Sequence, residues 1–247
     1  MKTCSVITGL GISAITALSA HAVEPTTNPK PNIIYILADD MGFGDMGCNN
    51  PASRIPTPHL DRLASQGMRF TNAHAPTSVC TPSRYAVLTG RYCWRSRLKS
   101  GIVWQWDAPL LETERPTVAD VMRGAGYRTA CIGKWHLGWD WQLTDGSRAN
   151  DHVEFGLFSM DQRTPVGDLI DYSKPMRGGP TDHGFESYFG DDVPNFPPYT
   201  WFEDDRVQMA PTVPKPKEMF GAPGEMVPDW ELEAVMPELT RRVVDYI

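Results

Sequence analysis

Residues 127–138 read Tyr-Arg-Thr-Ala-Cys-Ile-Gly-Lys-Trp-His-Leu-Gly. Tyr127–Ile132 predicts a short buried strand, and Gly133 ends it. A helix precedes the strand. Arg115-Pro116-Thr117 starts it, Val118, Val121 and Met122 form its apolar face, and Gly124 and Gly126 close it. The same order appears upstream. Asn32–Ala38 (NIIYILA) is a continuous apolar run between Pro31 and Asp39-Asp40, as expected of a strand buried on both faces. Thr57-Pro58 opens a helix over Pro58–Gln66, stopped by Gly67, and Met68–Asn72 predicts a short strand. Thr81–Thr89 predicts another helix, with Pro82 in its first turn and Gly90 past its end. This alternation argues for an α/β fold: a mostly parallel central sheet flanked by helices. Downstream the pattern weakens. Residues 139–180 read as loop, 185–199 as aromatic and Pro-rich, and 201–228 as irregular with a small hairpin. Pro237–Ile247 predicts a last helix, with Leu239, Val243 and Ile247 on one face.

The chain has 247 residues, 41% apolar and 21% charged, which is enough apolar mass for a sizeable core. Lys and Arg number 23 against 30 Asp and Glu, a net charge of −7. That balance argues against a general nucleic-acid binder, because a phosphate backbone requires a basic surface. Met1–Ala22 predicts a cleaved export signal: Lys2, an uncharged stretch from Ser5 to Leu18, and the small-x-small site Ala20-His21-Ala22. Residues 23–31 read as a linker. The expected location is therefore periplasmic or extracellular, with no membrane association after cleavage. Cys48, Cys80, Cys93 and Cys131 follow the signal. Their spacing matches neither a zinc pattern nor a CxxC motif.

Three segments carry candidate chemistry. Asp39-Asp40 directly follows the first predicted strand, where open α/β sheets bind ligands. Adjacent carboxylates repel unless a cation or proton intervenes, and hard oxygen ligands suit Ca²⁺ or Mg²⁺. A solvated turn is the plainer alternative. Cys80-Thr81-Pro82-Ser83-Arg84 places Cys80 at a helix N-terminus, which favours negative charge, with Arg84 one turn on. Its plainer alternative is a packing cysteine with a surface arginine. In Gly133–Gly138, Lys134 and His136 alternate by two and point to one side if the backbone stays extended.

Together these segments resemble the formylglycine-dependent sulfatases. Cys80–Arg84 with Leu88-Thr89-Gly90-Arg91 resembles their signature, and Pro31–Asp40 their opening strand and metal-binding Asp pair. Gly133–Gly138 resembles a second signature, and His183-Gly184-Phe185 through Phe189-Gly190 a third segment. The resemblance covers about 30–199. It implies an alkaline-phosphatase-like fold and hydrolysis of a sulfated carbohydrate or aryl sulfate. It further implies Cys80 oxidised to formylglycine by a maturation enzyme, with Ca²⁺ (Mg²⁺ as the alternative) held by Asp39, Asp40 and the modified Cys80. By the same resemblance, Arg84 holds the modified residue, Lys134 binds sulfate oxygen and His136 accepts a proton as sulfate leaves. The family's later Asp-Asn pair, Lys and His have no counterparts assigned here. Residues 32–247 are thus expected to be the N-terminal part of a catalytic domain, inactive in isolation. Asn195 reads as a loop residue satisfying its own backbone, with hydrogen bonding to sulfate as its alternative role. Two rival functions remain at this level. One is a phosphonate or phosphodiester hydrolase of the same superfamily, the other a non-catalytic remnant binding sulfated glycans.

Overall fold

A computed structural model describes residues 30–247. The expected signal and nearly all of the linker lie outside the described residues. The described residues fall into two units, 30–38 and 39–247. In the first, the described residues 30–38 form no helix or strand, and Ile33, Ile34, Tyr35, Ile36 and Leu37 are 41–76% exposed. This corrects the buried strand expected over 32–38. An apolar run becomes a buried strand only with ladder partners and covering layers, and this run joins neither sheet.

In the second unit, α1 (Pro58–Gln66) begins on Pro58, whose missing N–H costs nothing in a first turn. The strand expected over 68–72 is also absent; Met68 and Phe70 are exposed, and Arg69 reaches back to the Cys48 carbonyl. Helix α2 (Cys80–Thr89) starts one residue before its expected boundary. It ends on Gly90 at φ 65°, the left-handed cap that glycine adopts without strain. Helix α3 (Val118–Gly124) is capped reciprocally by Thr117 and Asp120. Strand β1 (Ala130–Ile132) begins later than expected because the Tyr127 amide still closes the end of α3 on Met122.

Helix α4 (Met160–Gly167) interrupts the stretch expected as loop. Strands β2 (Ser187–Gly190), β3 (Phe202–Glu203) and β4 (Arg206–Val207) complete a sheet of order β1-β2-β3-β4. Only β1 and β2 are parallel, with Cys131 opposite Tyr188. The other two pairs are antiparallel, so the sheet is mixed rather than mostly parallel. The reason lies in the connections. β3 and β4 are joined by Asp204-Asp205 alone, a link too short for a parallel crossover. Strands β5 (Val213–Pro214) and β6 (Glu225–Met226) form a separate small antiparallel pair. Helix α5 (Leu232–Tyr246) starts five residues before the expected Pro237, which sits inside it. Val235, buried beside Tyr199, Met226 and Trp230, gives that first turn its anchor.

The main core lies where the sequence shows least periodicity. Trp139, Trp141, Leu143, Ala149, Val166, Ile170 and Met176 pack with Tyr85, Leu137, Tyr188 and Phe202. Most of their backbone is irregular, so side chains close what ladders do not. Arg163 is fully buried and bonds Asp107 at 2.8 Å, with further bonds to the carbonyls of Gln105, Glu154 and Leu157.

Candidate active site

Cys80 is the first residue of α2, half-buried and without a disulfide partner. Cys48, Cys93 and Cys131 are also unpaired. Burial pushes the Cys131 thiol up to about 12 and raises that of Cys93, so neither offers a ready thiolate. Arg84 lies four residues along α2 and shares the Cys80 face. Its guanidinium reaches Asp39 Oδ2 at 3.3 Å and also donates to the Lys134 carbonyl. Lys134 Nζ meets the same Asp39 oxygen at 2.7 Å. Two cations from separate elements thus converge on one carboxylate. Partial burial pulls the Asp39 carboxyl upward, but the hydrogen bond and charge of Lys134, backed by Arg84, outweigh it and hold the group below the usual carboxylate range. Asp40 is exposed, at φ 55°.

Past β1 the backbone does not stay extended. The Gly133 amide bonds the Phe189 carbonyl and the Trp135 amide the Asp191 carbonyl, continuing the β1–β2 register. At His136 the chain turns into the left-handed region, φ 55°. Lys134 and His136 therefore differ in setting, contrary to the extended expectation: Lys134 meets Asp39, whereas His136 is buried. Gly138, at φ 83°, passes so close to Ala108 that a Cβ would come within 2.8 Å of its carbonyl oxygen. His136 Nε2 lies 2.9 Å from the Val103 carbonyl. A carbonyl only accepts, so Nε2 carries the proton and Nδ1 is the bare nitrogen. Nδ1 is buried without a hydrogen-bond partner. Burial, then the Lys134 charge, pushes the imidazole down to about 3. Thr81, next to Cys80, donates to the His136 carbonyl at 3.0 Å and accepts the Val103 amide at 3.2 Å, tying the first turn of α2 to both segments.

Two residues were not anticipated as part of this region. Asp191 and Asp192 follow β2; Asp192 Oδ1 accepts the His136 amide at 3.1 Å and the Trp139 indole N–H at 3.2 Å. Burial, then mutual charge, pushes Asp191 up to about 7, and burial pushes Asp192 up to about 6. Their signal in the sequence was a second adjacent Asp-Asp pair, as at Asp39-Asp40. His183 is buried with its ring stacked on Trp135, and its carbonyl accepts the Thr117 hydroxyl. The Asn195 carbonyl accepts the Tyr199 hydroxyl and the Ala222 amide.

The expected metal donors are Asp39, Asp40 and Cys80. Among the described residues, no group of three or more His, Cys, Asp or Glu is gathered to hold an ion. Asp39 Oδ2 already carries two cationic side chains, and Ca²⁺ takes six to eight oxygens. These donors alone do not fit that ion.

An N-acetylgalactosamine-6-O-sulfatase of Bacteroides thetaiotaomicron is 50% identical over 130 residues, covering 52% of this chain and 25% of that protein. Human arylsulfatase A is 49% identical over 109 residues, covering 44% and 21%. A solved structure from a Bacteroides thetaiotaomicron locus for metabolism of multiple glycosaminoglycans superposes with a TM-score of 0.65 at 27% identity. It covers 89% of this chain and 48% of that one. The chain thus spans about a quarter of the length of the curated relatives it matches. The Sulfatase family model matches residues 31–202, which take in Asp39, Cys80, Arg84, Lys134 and His136, and the chain belongs to that family.

Proposed function

We propose that this chain carries the nucleophile side of a sulfate-ester hydrolase site acting on a sulfated carbohydrate or aryl sulfate. The observation that carries the reading is the convergence of Arg84 and Lys134 on Asp39, with Cys80 on the Arg84 face of α2. Family membership implies a formylglycine- and calcium-dependent mechanism. Among the described residues the expected donors do not complete a calcium site, and no step runs through one. Hydrated formylglycine at Cys80 supplies two hydroxyls on one carbon, one to attack sulfur and one whose deprotonation expels sulfate.

The chain's own groups serve that chemistry. Lys134 presents a cation to a sulfate oxygen and exchanges its Asp39 contact for it. Arg84 spans from the Cys80 face to Asp39 and the Lys134 carbonyl, and so fixes the spacing of the two segments. His136 accepts a proton at Nδ1, the nitrogen left bare by the Val103 bond. A bound sulfate adds negative charge that offsets Lys134 and raises the basicity of the ring. A maturation enzyme acting on Cys80–Arg84, and export from the cytoplasm, belong to the same proposal. The name of the Bacteroides relative makes 6-sulfated N-acetylgalactosamine the first substrate to try, with an aryl sulfate beside it.

The test is co-expression of the full chain with a maturation enzyme, mass spectrometry of the Cys80 peptide, and assay of sulfate release. The expected result is an aldehyde at Cys80 and, in a protein that also carries the family's later Asp-Asn pair, Lys and His, turnover that is lost in Cys80→Ala. Lys134→Ala should lower kcat/KM by on the order of 10²-fold. A thiol that persists at Cys80 would count against the formylglycine route.

A further inference from the structure

Asp192 follows β2, outside the residues assigned to the site. Its partners give it a part there. The β1–β2 ladder ends with the Trp135 amide on the Asp191 carbonyl. One residue on, His136 turns left-handed and its amide has left the ladder. Asp192 Oδ1 takes that amide at 3.1 Å, so a side chain replaces the backbone acceptor at the turn. The same oxygen takes the Trp139 indole N–H at 3.2 Å. One carboxylate oxygen thus holds both ends of the 136–139 turn. Trp139 is itself wedged edge-on against Phe202 in the core, so this anchor is rigid. The neighbouring Tyr188 hydroxyl lies 3.0 Å and 2.8 Å from the Gly133 and Asp191 carbonyls, bracing the start of the same turn.

From this geometry we infer that Asp192 is a positioning residue. It clamps the His136 backbone so that Nε2 stays on the Val103 carbonyl and Nδ1 stays bare. The clamp acts through the acceptor oxygen rather than through charge. The inference deepens the sulfatase reading, since it assigns how the proposed proton acceptor is aimed. Charged and titratable groups around Asp192 are Asp191 on its own segment, Lys134 and His136 past β1, Arg84 on α2 and Tyr188 on β2.

Nitrogen-15 NMR of the histidine-labelled full chain tests it. In the wild type, His136 should show the Nε2–H tautomer at neutral pH. Asp192→Ala should mix the two tautomers and speed exchange of the His136 amide about tenfold. Asp192→Asn, which keeps an oxygen at the same place, should restore both. Unchanged tautomer and exchange in Asp192→Ala would overturn the assignment, as would an Asp192→Asn spectrum like that of the alanine variant. Should the alanine variant not fold, Asp192→Asn still decides. The His136 amide and Trp139 indole protons donate to one oxygen, so Asp192→Asn should shift both resonances together. A shift of one proton without the other, or of neither, would overturn it. In a protein that also carries the family's later Asp-Asn pair, Lys and His, Asp192→Ala should lower kcat on sulfated substrate with little change in KM, and Asp192→Asn should recover most of it. Absence of turnover in that longer protein would count against the sulfatase reading and leave the NMR test of Asp192 intact.

Discussion

The turn at Lys134–Gly138 and the Asp39-Asp40 pair meet through one ion pair, yet they are held by different means. The turn is fixed by backbone bonds to Phe189 and Asp191, by the Asp192 carboxylate, by the Thr81 hydroxyl and by the buried Leu137. Asp39 is held by charge-assisted hydrogen bonds from two side chains, Lys134 and Arg84. From residue 41 to 79 no residue is fully buried, whereas 80–202 contains most of the core. Packing over-determines a position, and removing one contact leaves the others. An ion pair near the surface defines direction weakly and is screened by salt.

The largest expected effect tests the packed side. Arg163→Met leaves Asp107 buried and uncompensated beneath the Trp104–Trp106 loop, and should cost about 3–5 kcal/mol. Urea unfolding measures it; a loss under about 1 kcal/mol would mean that water reaches Asp107.

Asp191 tests the same side with the opposite sign. Its folded value of about 7 lies above 3.8, so between these the folded chain keeps a proton that the unfolded chain has released. Stability therefore falls as pH rises through that window. Asp191→Asn should flatten the slope and add on the order of 2 kcal/mol at mildly alkaline pH. Parallel stability profiles for variant and wild type would show that burial does not govern this carboxyl.

The smallest effect belongs to the charge-held side. Asp39 has a lowered folded value, so its contribution is present above 3.8 and fades as pH falls through the folded value. Asp39→Asn should cost below about 1 kcal/mol, and less in high salt. A cost as large as that of Arg163→Met would erase the contrast between the two sides.

Local chemistry was legible in the sequence. Pro58 opens α1, Cys80 begins α2 with Arg84 one turn on, Gly90 caps it, and Lys134 follows β1. Each depends on residues within about one helical turn or one strand, where caps, periodicity and chain breakers act directly. What depended on distant partners was not legible. The run at 32–38 has the composition of a buried strand and no ladder in either sheet. The loop-like stretch after Trp139 holds much of the core, because indole packing and the Arg163–Asp107 pair replace periodic burial. Asp192 reads as one more turn acid, and only the parallel register of β1 with β2 sets it beneath His136. By itself the sequence determined which residue types stand at the helix starts and strand ends. The tertiary structure alone decided which of them meet, since those contacts span 45 to 95 residues and no local preference reaches that far.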